Sequence, residues 1–103
     1  HKGNFSGYVK SISEYDGYLS ELIKFLDESG DYGKNTTLIV TTDHSRGVGP
    51  LWRGHGHTSF TEKNIFLFAR GRGVTPQGRQ KLRGNHLMLR PTIEALMGVH
   101  TQN

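Results

Sequence analysis

The sequence predicts an α/β fold: part of a three-layer α/β/α sandwich, with two buried strands and flanking helices. Three observations predict it. A long opening segment repeats apolar residues at spacings of three and four. Two short apolar runs come next, separated by a polar, glycine-rich stretch. A second and shorter helical pattern comes last.

The opening helix is expected over 4–29. Phe5, Tyr8, Val9, Ile12, Tyr15, Leu19, Leu22, Ile23 and Leu26 make its apolar stripe, with Lys10, Glu14, Glu21, Lys24 and Asp27 between them. Gly30 stands where such a helix stops, and 31–35 (DYGKN) reads as a turn. The run 36–42 (TTLIVTT) is rich in β-branched residues and free of charge, as suits a central strand covered on both faces. A long loop over 43–61 precedes a second buried strand over 64–69 (NIFLFA). After a basic loop at 71–84, a helix is expected over 87–97. Pro91 lies in the first turn of its main segment, Ile93, Leu96 and Met97 on its buried side, and Gly98 at its end.

Two strands cannot form a covered sheet alone, because their edges need partners. The 103 residues are therefore expected to be one incomplete domain. A hydrophobic fraction of 33% agrees, being low for a self-contained core. The chain opens on His1 rather than Met, so the true start is expected upstream, and no signal-peptide pattern is visible. No apolar run reaches membrane-spanning length. The absence of cysteine excludes disulfides and thiolate metal sites. The net charge of +4 suits anionic ligands without separating a small ester from a nucleic acid.

Candidate chemistry concentrates after the first strand. Asp43 and His44 follow it directly, at the carboxyl end, where open α/β sheets bind ligands. His55 and His57 lie close by in the loop. Glycines 47, 49, 54 and 56 would let the loop fold back and bring His55 near. Carboxylate oxygen and neutral imidazole nitrogen are good zinc ligands, and carboxylate-rich sites also suit manganese or magnesium. Arg46 and Arg53 flank these donors and are the better candidates for contact with a phosphate. Trp52 either walls the pocket or packs the loop. The basic stretch Arg70, Arg72, Arg79, Lys81 and Arg83 has no interleaved aromatics for base stacking and reads as a solvated loop. His86 and His100 lie outside the cluster and read as ordinary histidines.

These pieces together carry a resemblance. The segment TTLIVTTDHSRG resembles the strand of the alkaline phosphatase superfamily that ends in Asp-His-Gly. The order Trp52-Arg53-Gly54-His55-Gly56, then IFLFARG, is similar to the family's order after that strand. His1-Lys2-Gly3 before an amphipathic helix resembles the end of an Asp-x-x-x-His-x-Gly motif, and RPTIEALMGV resembles the closing C-terminal helix.

The resemblance implies that residues 1–103 are the C-terminal part of a single metal-hydrolase domain, with an upstream segment of the same enzyme as partner. It implies hydrolysis of phosphate mono- or diesters with two divalent metal ions, zinc first, manganese or magnesium as alternatives. Asp43 and His44 would ligate one metal. His1 and either His55 or His57 would ligate the other, His55 being favoured by the upstream Trp52. A sulfatase or phosphomutase on the same scaffold would act on a related sulfate or phosphate ester. An extracytoplasmic bacterial setting fits the resemblance, and no residue establishes it. Three departures stand out: Ser45 replaces the usual Gly, no Asp precedes His1, and no catalytic nucleophile turn is present. The nucleophile is therefore expected upstream, and the isolated chain is expected to be inactive. From another class, a small basic nucleic-acid-binding module would show steep salt dependence and need no metal.

Overall fold

The computed structural model describes residues 3–55, 64–81 and 83–99. Helix α1 spans Phe5–Glu28. It starts where the Asn4 side chain accepts the Gly7 N–H at 2.9 Å, one of the donors that a helix start leaves unpaired. At its end the Ser29 N–H returns to the Leu26 carbonyl. The turn expected over 31–35 is instead a short helix, α2, at Gly30–Lys34. Its last carbonyls are claimed by side chains just beyond it: Asn35 Nδ2 donates to Asp31 O at 2.8 Å, and Thr36 Oγ1 to Tyr32 O at 2.7 Å.

Strand β1 is Thr37–Thr41 and strand β2 is Leu67–Gly71. They pair antiparallel, with Thr37 opposite Gly71 and Thr41 opposite Leu67. Directly opposed residues share a face, so Leu38, Arg70, Val40 and Phe68 lie on one side, and Ile39, Ala69 and Leu67 on the other. Arg70 pairs with Asp27, which draws the C-terminal part of α1 toward the first side. The second strand begins three residues later than expected and extends through Gly71. Helix α3 is Leu89–Leu96, entered through a 3-10 turn at His86–Met88.

The architecture is mixed helix and sheet, as part of an α/β domain. The burial expected of its strands and helices is not met within this chain. β1 is half-buried and most of β2 is exposed. Leu26 is the buried hydrophobic residue among those described, while Phe5, Val9, Ile12, Leu22, Ile93, Leu96 and Met97 are exposed. The reason is geometric: among the described residues, no second layer covers either apolar surface. The radius of gyration is 16.7 Å, against about 13 Å for a compact chain of this size. Among the described residues, no helix is long and apolar enough to cross a membrane.

Candidate metal centre

Antiparallel pairing decides where the site lies. The long connection leaves β1 after Thr41 and re-enters the sheet at Leu67, its direct partner. Both ends of the loop are thus held at the carboxyl end of β1. Thr41 Oγ1 closes that end by donating to Phe66 O at 2.6 Å. Within the loop, the N–H of buried Gly47 donates to Gly54 O at 3.1 Å, across a 3-10 turn at Gly49–Leu51. This is the fold-back that the glycines allow, and it delivers His55 to His44. Their rings stack, with centroids 4.2 Å apart and planes 23° from parallel.

Asp43 folds against its own neighbour. Its Oδ1 accepts the His44 backbone N–H at 2.9 Å, and its Oδ2 lies 3.2 Å from His44 Nε2. The other ring nitrogen, Nδ1, lies 2.8 Å from the Ser45 carbonyl; since a carbonyl only accepts, Nδ1 carries the hydrogen there. Nε2 faces the Asp43 carboxylate and is the nitrogen left to ligate a metal. One carboxylate and two imidazoles are therefore gathered, and the donor types fit a divalent transition metal. In near-parallel stacked rings the lone pairs do not meet at one point. Correspondingly, no three acidic or imidazole groups form a ready metal cluster among the described residues. His1 and His57 lie outside the described residues.

Ser45, the departure from Gly, is accommodated: among the described residues every positive φ belongs to a glycine. The loop is braced from α1. Trp52 meets Phe5 edge-on at 5.5 Å and Tyr8 at 6.3 Å. Arg46 lies with its guanidinium carbon 4.5 Å from the Tyr8 ring centre, and its Nε donates to Trp52 O at 3.0 Å. Arg53 packs against Gly3, where its guanidinium fills the space that a side chain would take. Trp52→Ala should therefore lower unfolding free energy by about 2 kcal/mol, from lost ring–ring and cation–π contacts. Denaturant titration of the protein measures this; a loss under about 0.5 kcal/mol would show that the brace contributes little.

One residue at this end had no signal in the sequence. His86 places Nε2 at 2.8 Å from the carbonyl of Thr42, immediately before Asp43. No spacing links the two, because the contact is created by the return of the chain after β2.

The family model described as Sulfatase matches residues 2–99. A phosphopentomutase of Buchnera aphidicola is 40% identical over 58 residues, which is 56% of this chain and 12% of the relative. A phosphopentomutase of Shewanella loihica is 29% identical over 76 residues, 74% of this chain and 16% of the relative. The chain thus spans under a fifth of the length of these relatives. No solved structure matches it. The chain belongs to the sulfatase family of the alkaline phosphatase superfamily, a family of metal-dependent phosphoryl- and sulfuryl-transfer enzymes.

Proposed function

We propose that the protein containing this chain is a metal-dependent hydrolase of phosphate esters, with Asp43, His44 and His55 supplying part of a two-metal site. The observation that carries this reading is the fold-back of His55 onto His44 beside Asp43, at the carboxyl end of β1. When bound, divalent cations stabilise charge developing on phosphoryl oxygens. The chain's own part is to hold the donors and attract the anion. Asp43 contributes the carboxylate, His44 and His55 the imidazoles, and zinc, manganese or magnesium are the ions such donors take. His1 belongs to the same set, and His57 is the alternative to His55. Arg53 and Arg46, carried on the same loop as the donors, would meet a phosphate with their guanidinium groups. Trp52 holds Arg46 in place and borders the same loop. Another segment of the enzyme supplies the nucleophile.

A phosphomutase is the second reading, favoured by the phosphopentomutases among the relatives. The two readings separate on product. The full protein, loaded with zinc or manganese, is incubated with an aryl phosphate, a phosphodiester and a pentose phosphate. Release of inorganic phosphate that a chelator stops is the expected result. Movement of phosphate within the pentose without release would replace the hydrolase by the mutase. Neither outcome with any metal would sink both.

A further inference from the structure

We infer that His86 is a positioning residue for the Asp43–His44 pair, acting through its hydrogen bond to the Thr42 carbonyl. The inference rests on the reading that this pair holds a metal. Thr42 lies just past the last residue of β1, so its carbonyl has left the sheet ladder. That carbonyl is free to take a donor from outside the sheet. The neighbouring Thr41 hydroxyl is only 3.4 Å away, but its single hydrogen is engaged by Phe66 O at 2.6 Å. His86 Nε2, at 2.8 Å, is the close donor.

The consequence reaches the site through one rigid unit. The Thr42 carbonyl and the Asp43 nitrogen belong to the same planar peptide. Fixing that carbonyl fixes the direction from which the Asp43 backbone departs, and with it the placement of the carboxylate and of His44. His86 is itself held locally. Asn85 Oδ1 accepts the Leu87 N–H at 3.0 Å, and the Met88 N–H returns to Asn85 O at 3.0 Å, closing the 3-10 turn that leads into α3. The bond therefore ties the C-terminal segment of the chain to the end of β1, across 44 residues of sequence. A carbonyl can only accept, so Nε2 carries the hydrogen and the neutral ring is the Nε2–H tautomer.

The test is equilibrium titration of zinc and of manganese into the full protein and its His86→Ala, His86→Phe, His86→Gln and His44→Ala variants, with unfolding curves for each. Alanine and phenylalanine remove the donor, phenylalanine keeping a ring. Glutamine returns an amide donor at similar reach. Loss of metal affinity of about ten- to hundredfold in the alanine and phenylalanine variants is expected, as when an outer partner of a metal ligand is removed. The glutamine variant should stay within about threefold of the parent. Should His44→Ala lose the metal while His86→Phe binds like the parent, the role of His86 is overturned and the metal reading stands. Should His44→Ala itself bind like the parent, the metal reading fails. If neither donor-free variant folds, the ring nitrogen shifts of His86 in the unaltered protein decide. An Nε2–H tautomer supports the bond to Thr42, and an Nδ1–H tautomer overturns it.

Discussion

Replacing His44 by alanine in the full protein should lower kcat/KM for a phosphate ester by on the order of a thousandfold, with little change in folding stability. The two halves of this result have separate causes. A metal contributes several kcal/mol of charge stabilisation to displacement at phosphorus. At about 1.4 kcal/mol per tenfold in rate, losing it removes roughly three powers of ten. The fold, by contrast, asks little of this side chain. It is exposed, and its contacts are the Asp43 carboxylate next to it, the Ser45 carbonyl and the His55 ring. None of these joins two elements of secondary structure. Asp43→Asn should act in the same direction, because it keeps the shape and removes the negative charge that a divalent cation needs. Initial rates over a range of metal concentrations, with melting curves beside them, make the measurement. A rate within tenfold of the parent at saturating metal would remove His44 from the site.

The sequence was most informative where a single local rule decides. The α1 stripe comes from spacing, and β1 from its uninterrupted TTLIVTT run. The return of His55 to His44 was readable because glycines bracket the turn, and Gly47 and Gly54 are the residues whose backbones close it. Burial was not readable, because it depends on which surfaces meet and not on a local pattern. Among the described residues no layer covers the apolar face of α1, and so the same stripe that predicts the helix is largely exposed. The Trp52 brace needed both ends of a fold-back to be known at once. A tryptophan in a loop gives no hint that Phe5, Tyr8 and Arg46 surround it. His86 was illegible for the same reason: its partner is a backbone carbonyl, which leaves no mark in a pattern of side chains. Arrangements made by chain return are where the local rules stop.

The strongest stability effect is expected at the far end of the sheet. Gly71→Ala should cost at least about 3 kcal/mol, where Gly78→Ala costs about 1 kcal/mol. Both glycines have positive φ, +106° and +62°, so both substitutions meet the backbone penalty of an L side chain. They differ in what the new methyl would meet. At Gly78 nothing lies within 4 Å. At Gly71 the methyl would run into the Thr36 carbonyl oxygen, with Thr37 Cα 3.2 Å away, and all of these atoms are backbone. Backbone cannot step aside as a flexible side chain can. Relief would require β1 and β2 to separate at the Thr37–Gly71 pair. Two further bonds depend on that closure, Arg72 N–H to Thr36 O at 3.3 Å and Thr37 Oγ1 to Arg72 O at 2.6 Å. Denaturant unfolding of the two variants beside the parent gives the comparison, and equal losses at both positions would show that the close approach at Gly71 is not real. The site links to this end through the strand itself. β1 is five residues long, with Gly71 pinning its start and the Thr42–Asp43 peptide lying just past its end. A sheet opened at Thr37 would therefore loosen Asp43 as well, and the alanine at 71 should weaken metal binding without touching a single donor.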